Sequence, residues 1–526
     1  MRDITKERFE DGKPLLRRYH QARWDEPIVF ELSSKDERGI LMPEVEKGIR
    51  DKVGDVLGGL PEGMRREQPP ALPEISQPQV LRHYVRLSQE TLGADFNIDV
   101  GQGTCTMKYS PKVHEDLARS PHAACIHPYQ ADETVQGVLE IMYRFEQILK
   151  EVSGMDRFSM QPGAGSAAIY ASASIIRKYH EMRGEGDTRD EIITTSFSHP
   201  SDAACAKVAG YNIITLPPDR DGYPDFEALK AAISERTAGL LLTNPEDTGI
   251  FNPNIKDFVD LAHEKGALCF YDQANANGIL GITRAREAGF DLCHFNLHKT
   301  FSTPHGCGGP AGGALGVTEE LAQFLPTPVV ACDNGTYRLD YDRPHSIGKV
   351  GAFHGTVGCV IKAYAWAMSL GADGMKTAAE VAVLNNNYFL KKVLEIPGAT
   401  APYAPGKHRI EQVRYSWEEL TKDTGVHSEE LGVRAADYGV HYWTSHHPFV
   451  IPEPMTLEPT ESYTKAELDE FVDILRAVAQ EARDNPDKIK KGPHNCPIHQ
   501  VDHDVFDDPD EWAITWRAYQ KKKKGK

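Results

Sequence analysis

Long apolar runs are missing from this chain of 526 residues. A helix needs about 20 apolar residues to span a bilayer, and no apolar run in the sequence approaches that length. The opening MRDITKERFEDGK is too charged for the apolar segment of a signal peptide. No two of the nine cysteines form a CxxC pair, which argues against a zinc site or a disulfide framework. These absences predict a reduced, cytoplasmic, globular protein.

An excess of positive charge is also missing. Lysine and arginine number 59 against 77 acidic residues, and the net charge is −18. This balance argues against nucleic acid or an anionic membrane as the main partner. Because 40% of the residues are hydrophobic, the chain can bury a large core, and its length allows about two to four domains.

Strand and helix patterns alternate in the middle of the chain. Short apolar runs, namely EIITTS, NIITLP, AGLLLTNP and ALCFYD, are separated by helical patterns such as PDFEALKAAISERT and IKDFVDLAHEKG. This order predicts βαβ units and a mostly parallel sheet. Ligands of such sheets bind outside the carboxyl ends of the strands, where NPEDTG, DQANAN and HKTFSTPHG fall.

Composition divides the chain into three predicted regions. Residues 1–90 mix charge with prolines and predict an extended arm, whereas residues 91–360 form the large α/β domain. Residues 361–526 predict a smaller α+β domain with a polar tail. Its clearest helix begins with a capping box at Thr464 and Glu467 and continues with apolar residues at helical spacing.

A glycine-rich turn, GAGSAA, follows a short predicted strand and opens a helix at residues 163–168. It matches the GxGxxA fingerprint of dinucleotide-binding proteins, but that fingerprint also needs an acidic residue at the end of the next strand. Here the next strand continues into FSHPSD, with a histidine at position 199. The turn therefore predicts a phosphate site near Gly165 and Ser166 at the helix N-terminus, without a nicotinamide cofactor.

Lys299 stands at the end of an apolar stretch, just before a glycine-rich run. A Walker A loop needs glycines directly upstream of its lysine, whereas Phe295 to His298 precede this one. Metal ligands could come from His294, His298 and His305, but the carboxylates or HExxH spacing that would define a site are missing. The remaining interpretation is a lysine that condenses with an aldehyde cofactor, since apolar surroundings activate an amine as a nucleophile.

Pyridoxal 5′-phosphate is the aldehyde cofactor that these residues favour. It needs a phosphate site, a carboxylate for its ring nitrogen and a flat group above its ring. Asp272 ends a predicted strand and can supply the carboxylate, and His199, at another strand end, can stack on the ring. A phosphate turn, a flat ring, an acid and a lysine, each at a strand end, together predict this cofactor.

The chain also resembles a known family. The similar segments include CTMKYSPKVHEDLARS, HPYQADETVQG, IIRKYHEMRGEGDTR, LTNPEDTGIF, LHKTFSTPHGCGGP, DRPHSIGKV and MTLEPTES. They look like the catalytic half of glycine decarboxylase, the P-protein of the glycine cleavage system, which is subunit 2 in the split bacterial form. The resemblance extends over residues 28–500.

The resemblance implies a fold type I, aspartate aminotransferase-like enzyme whose large domain binds pyridoxal phosphate. Lys299 would carry the cofactor, His199 would stack on it and Asp272 would bind its ring nitrogen, and these three are the predicted catalytic residues. The predicted cofactor-binding residues are Ala164, Gly165, Ser166, His199, Thr243, Asp272, Ala274, His298 and Lys299. The predicted substrate residues are Thr106, His127, Tyr129, Gln273 and His354, and no metal is predicted.

The implied reaction is the decarboxylation of glycine with transfer of its aminomethyl group to a lipoyl carrier protein. The implied partners are a small amino acid, most simply glycine, together with a subunit 1 and the lipoyl carrier. The implied assembly is a dimer or a heterotetramer.

Four positions depart from the motifs of the family. Gln273 replaces the glycine of YDGAN, Asp202 the asparagine of H-G-S/T-N-P, Ile169 an acid and His354 the tyrosine of F-Y-G-N. Because they cluster on the predicted substrate side, two alternatives stay open. One is a divergent lyase or decarboxylase that acts on another small amino acid, and the other is a scaffold subunit that binds the cofactor without turnover.

Overall fold

A computed structural model describes most of the chain. The described residues are 9–10, 13–14, 16–17, 19–37, 39, 43–68, 70–93, 97–101, 108–304, 309–442, 451–497, 512–513 and 515–525. They form two compact units. The first unit comprises Met1–Arg17 and Ala94–Lys491, and the second comprises Arg18–Gly93 and Gly492–Lys526.

The secondary structure of the described residues is predominantly helical, with one large sheet. The strands are β1 (Phe9–Glu10), β2 (Lys13–Pro14), β3 (Arg157–Ser159), β4 (Glu191–Thr195), β5 (Asn212–Leu216), β6 (Thr237–Thr243), β7 (Leu268–Gln273), β8 (Leu292–Asn296), β9 (Gly313–Val317), β10 (Val329–Asp333), β11 (Thr336–Asp340), β12 (Val413–Ser416) and β13 (Pro454–Leu457). The α-helices are α1 (Lys47–Val53), α2 (Gln77–Gln89), α3 (Lys112–Arg119), α4 (Pro121–Ala124), α5 (Gln136–Ser153), α6 (Gly165–Met182), α7 (Pro200–Val208), α8 (Phe226–Ala232), α9 (Ile255–Glu264), α10 (Leu297–Thr300), α11 (Val357–Val393), α12 (Glu418–Thr424), α13 (Ser428–Ala436), α14 (Lys465–Asp484), α15 (Pro486–Lys490) and α16 (Trp516–Lys524). Short 3-10 helices occupy Val56–Gly59, Glu62–Met64, Asp132–Thr134 and Glu319–Phe324.

The large sheet has seven strands in the order β3-β9-β8-β7-β6-β4-β5. Strands β8, β7, β6, β4 and β5 run parallel to one another, and β9 is antiparallel to both of its neighbours, β8 and β3. The prediction of an α/β fold with a mostly parallel sheet is therefore confirmed. The strands predicted from EIITTS, NIITLP, AGLLLTNP and ALCFYD are β4 to β7, which cover most of those segments.

Helices cover both faces of this sheet. Alternate residues of β7 point to opposite faces, so that Cys269 and Tyr271 join one apolar cluster and Leu268 and Phe270 join another. The first cluster includes apolar residues of α5 and α9, and the second includes those of α6. Because both faces of the parallel strands are buried, their sequences are nearly continuous apolar runs.

The C-terminal part of the first unit has its own apolar cluster. The long helix α11, interrupted at Gly371 by non-helical backbone, leads into it, and β12 pairs with β13 in an antiparallel ladder. The capping box predicted for α14 is confirmed, because Thr464 and Glu467 exchange both hydrogen bonds. The predicted apolar face of α14 is buried in this cluster. The division of the chain at residues 90 and 360 stays a prediction.

The second unit brings an N-terminal and a C-terminal segment together. Phe30 stacks on Trp516 with ring centroids 5.0 Å apart, and the Arg23 guanidinium donates to the carbonyl of Cys496 at 2.7 Å. None of the helices in the described part of the chain combines the length and the apolar character needed to cross a membrane.

Candidate active site

The register of the parallel strands places three polar side chains in one row. Thr243 of β6 lies opposite Asp272 of β7, and Asp272 lies opposite His294 of β8. All three stand near the carboxyl ends of their strands, which is where parallel sheets bind ligands. The row forms the floor of a cavity of about 190 Å³.

The cavity collects every residue that was predicted to bind the cofactor. The nine residues are Ala164, Gly165, Ser166, His199, Thr243, Asp272, Ala274, His298 and Lys299. They come from five separate segments, and each segment lies at the end of a strand of the large sheet or follows one. Their individual roles stay predictions, but the fold brings them to one place.

Lys299 reaches the cavity from α10, a single turn directly after β8, and only 5% of its surface is exposed. Two hydrogen bonds fix this turn at Thr300. The amide of Ala276 donates to the Thr300 hydroxyl at 2.9 Å, and the Lys108 ammonium donates to the Thr300 carbonyl at 3.0 Å. Lys108 is itself buried and pairs with Glu461 at 3.1 Å. The backbone that carries Lys299 is therefore held from two directions.

Glycines allow the backbone to approach closely around the lysine. A Cβ atom at Gly165 would lie 2.8 Å from the side-chain amide of Asn296, and one at Gly313 would lie 2.8 Å from the carbonyl of Ala164. The N-terminus of α6 can thus sit against the ends of β8 and β9 with its amides open toward the cavity. Those amides and the helix dipole form a site for an anion.

His199 is oriented by the start of α7. Its Nδ1 atom lies 2.6 Å from the Ser201 hydroxyl and accepts a hydrogen bond from the Ser201 amide at 3.2 Å. An Nδ1 atom that accepts leaves the ring proton on Nε2 in the neutral imidazole. The ring is therefore held in one orientation at the wall of the cavity.

Asp272 and His294 meet in the buried floor. The Asp272 carboxylate accepts the Ala274 amide at 2.8 Å, and the Nε2 atom of His294 lies 3.6 Å from the same oxygen. Burial lowers the pKa of His294, and the nearby Lys299 acts in the same direction against the opposing charge of Asp272. His294 is therefore neutral at neutral pH, and its ring stacks on Phe270 with centroids 5.4 Å apart.

One wall of the cavity comes from residues that no local motif indicated. Glu411 and Gln412 precede β12, more than a hundred positions after Lys299, and both are buried. Burial raises the pKa of Glu411 well above its ordinary value, and the neighbouring Glu458 adds to the shift. Burial therefore favours the protonated form of Glu411, which can donate a hydrogen bond. Asn296 and His294 were likewise not predicted as cofactor ligands, although they adjoin the lysine in sequence.

The close approach of Gly249 holds this wall in place. Gly249 has a φ of +75°, and a Cβ atom there would lie 1.8 Å from the carbonyl oxygen of Gln412. Its own carbonyl accepts the Ile410 amide at 2.9 Å. We expect Gly249→Ala to lower the free energy of unfolding by about 3–5 kcal/mol, because left-handed backbone strain and steric overlap add.

The matched control for this change is Gly184→Ala. Gly184 has a nearly equal φ of +74° but nothing within 4 Å of the added atom. It should therefore lose only the about 1–2 kcal/mol of backbone strain. Urea denaturation of both variants measures the difference, and equal losses would contradict the proposed contact with Gln412.

The predicted substrate residues are not brought to the cavity. Gln273 is buried at the end of β7, but it follows Asp272 directly, and successive side chains of a strand point to opposite faces. His127, Tyr129 and His354 form a separate cluster at the surface, in which Tyr129 is 57% exposed and 5.9 Å from the His354 ring. Thr106 lies outside the described residues. A role for these five residues in binding substrate stays a prediction.

Comparisons with known proteins first define the class. Residues 169–330 match the family described as aminotransferase class-V. The fold is similar to a crystal structure of glycine decarboxylase (P-protein) of the glycine cleavage system in inhibitor-bound form. That likeness has a TM-score of 0.70 at 20% identity and covers 84% of this chain and 100% of the other. The fold thus places the chain in the class of proteins with the aminotransferase class-V fold.

Closer relatives define the family. The chain is 43% identical to the probable glycine dehydrogenase (decarboxylating) subunit 2 of Pyrococcus horikoshii, over 96% of this chain and 99% of that protein. It is 42% identical to the protein of the same name from Caldanaerobacter subterraneus, over 90% and 96% of the two chains. Residues 378–502 match the glycine dehydrogenase C-terminal domain. The chain belongs to the family of glycine dehydrogenase (decarboxylating) subunit 2, as its motifs predicted.

Proposed function

We propose that this chain binds pyridoxal 5′-phosphate, decarboxylates glycine and transfers the aminomethyl group to a lipoyl carrier protein. The observation that carries the proposal is the convergence of Lys299, Asp272, His199 and the N-terminus of α6 on one buried cavity. The family of the chain supports the same activity, because its relatives are named glycine dehydrogenase (decarboxylating). Neither alternative, a different amino acid or a scaffold without turnover, gains support from that family.

The cavity fits the cofactor in its chemistry. The missing side chain at Gly165 leaves the first amides of α6 open to a phosphate group. At the floor, the buried carboxyl group of Asp272 lies beside a neutral histidine and can face a protonated ring nitrogen.

Each residue of the chain has a distinct task in this proposal. When bound, pyridoxal 5′-phosphate supplies an aldehyde for amines and a conjugated ring that accepts the electron pair left by carbon dioxide. Lys299 would hold the aldehyde carbon of the cofactor through its amine. Asp272 would face the ring nitrogen and favour its protonated form, and His199 would contact the ring. The α6 amides would bind the phosphate group.

The cavity wall from the C-terminal part of the first unit suits a small amino acid that loses its carboxylate as carbon dioxide. Among the described residues that line the cavity there is no arginine that could retain the carboxylate as an ion pair. Arg414 of β12 is paired with Asp247 at 2.9 Å. Glu411 and Gln412 of this wall, together with Asn275 after β7, instead offer hydrogen-bonding groups without a positive charge, which can orient a carboxylate without holding it.

The partners in the proposal are a subunit 1 and a lipoyl carrier protein. The relatives carry the designation subunit 2, which implies a first subunit. We propose that the chain works with that subunit as a heterotetramer, or otherwise as a dimer, and that the lipoyl group takes the aminomethyl carbon.

Exchange of labelled bicarbonate into the carboxyl group of glycine tests this function. The purified chain is incubated with pyridoxal 5′-phosphate, subunit 1 and lipoyl carrier protein, and label in glycine is measured by mass spectrometry. We expect exchange with glycine, little with alanine or serine, and a strong decrease when the carrier is omitted. Faster exchange with another amino acid would overturn the glycine assignment. Complete inactivity of the folded, cofactor-loaded assembly would favour a scaffold.

A further inference from the structure

Asp202 is a buried acid with no assigned task. It lies in the first turn of α7, has no exposed surface, and stands where the motif of the family has an asparagine. Neither of its carboxylate oxygens accepts a well-formed hydrogen bond within the described part of the chain. An ionised carboxylate in that position lacks the donors that its burial requires.

The groups that face Asp202 are mostly acidic. Asp272 of β7 lies against its carboxyl group, Asp247 is the next acid, and the Ser198 hydroxyl is the nearby neutral group. Burial raises the pKa of the Cys205 thiol, one turn further along α7, and the charge of Asp202 adds to the increase. Arg414, a positive charge of this region, pairs with Asp247, and no positively charged group of the described residues is among those that shift the pKa of Asp202.

Two carboxyl groups in contact can form a hydrogen bond only when one of them carries a proton. Burial raises the pKa of Asp202 well above its ordinary value, and the neighbouring Asp272 is the next cause. Two adjacent carboxylates that share a buried site behave in this way because both cannot ionise together.

We propose that Asp202 is a protonated carboxylic acid that donates its proton in a hydrogen bond to the Asp272 carboxylate. It is then a positioning residue for Asp272. The hydrogen bond fixes the orientation of the Asp272 carboxylate. The importance of that orientation for the cofactor rests on the proposed function, whereas the shared proton does not.

Infrared spectroscopy of the full-length protein without cofactor tests the shared proton directly. Neutral carboxyl groups give a C=O stretching band separate from those of carboxylates, and buried Glu411 contributes to the same region. We therefore compare difference spectra at neutral pH. Subtracting the spectrum of Asp202→Asn from that of the wild type should leave one neutral carboxyl band. The exposed Asp257→Asn control should leave none. Absence of the band in the first difference spectrum would overturn the proposal.

The pH dependence of thermal stability gives a second readout. Because the pKa of Asp202 is higher in the folded than in the unfolded chain, the folded chain binds the extra proton and loses stability as the pH rises above about 4. Because Asp202→Asn has no carboxyl group at this position, it should not show this loss of stability with rising pH. Its melting temperature should rise relative to the wild type as the pH increases from about 4 toward the raised pKa of Asp202, equivalent to at most about tenfold in the folding equilibrium constant per pH unit. A constant difference would contradict a buried neutral acid.

The affinity for pyridoxal 5′-phosphate distinguishes a positioning role of Asp202 from a role in packing alone. Asp202→Asn keeps a donor for Asp272 and should retain the wild-type affinity for pyridoxal 5′-phosphate, measured by absorbance titration. Asp202→Ala loses the donor and should bind at least about tenfold more weakly, the loss expected for one hydrogen bond to a charged group. Equal affinities for both variants would refute the positioning role, even if glycine exchange by the wild type were normal.

Discussion

Lys299→Ala is expected to abolish covalent attachment of the cofactor and to reduce glycine exchange by on the order of 10⁴-fold or more. This loss corresponds to about 5 kcal/mol of transition-state stabilisation. The reason is that the Lys299 amine is proposed to hold the cofactor next to the incoming substrate, and no other lysine lines the cavity in the described part of the chain. Noncovalent binding through the phosphate should persist, because the α6 amides are unchanged.

Borohydride reduction followed by peptide mass analysis measures the attachment. The wild type should carry the reduced label on the peptide that contains Lys299, and the Lys299→Ala variant should carry none. Lys256→Ala is the control, because Lys256 lies on the surface of α9 and pairs only with Asp260 among the ion pairs described. A reducible adduct in the Lys299→Ala variant would mean that the wrong lysine was assigned.

The sequence predicted the large sheet and the residues at its carboxyl edge for a physical reason. Strands buried on both faces are continuous apolar runs, and parallel strands all end at the same edge. A polar residue directly after such a run, such as Thr243 or Asp272, is therefore placed by the fold rather than by its neighbours in sequence. The glycines near Gly165 could be predicted as well, because only a missing side chain leaves the amides of a helix open.

The remaining parts of the site could not be predicted in this way. Glu411 and Gln412 reach the cavity because the segment before β12 packs on the loop after β6 at Gly249, and no local pattern records that contact. The predicted substrate residues were taken from motifs alone, without a rule for the direction of their side chains. Gln273 illustrates the difference, since its neighbour Asp272 lines the cavity and Gln273 does not. The charge state of Asp202 likewise depends on burial, which a sequence does not contain.

Asp272→Asn should retain most of the bound cofactor but lower glycine exchange by about 10²–10⁴-fold, the range of a lost acid–base contribution. An amide has nearly the size of the carboxyl group but cannot balance a proton on the ring nitrogen. Cofactor retention, measured by absorbance after dialysis, distinguishes this effect from a loss of binding. Unchanged exchange would show that another carboxyl group faces the ring.

The residual glycine exchange of Asp272→Asn also tests whether Asp202 is coupled to Asp272. Removing the negative charge of Asp272 removes one of the causes that raise the pKa of Asp202, although burial, the larger cause, remains. Asp202 then ionises at a lower pH than in the wild type and places a carboxylate next to the same site. We expect the residual exchange of Asp272→Asn to increase with pH and to disappear in the double variant Asp202→Asn, Asp272→Asn. If the double variant is as active as Asp272→Asn at every pH, the two carboxyl groups are not coupled.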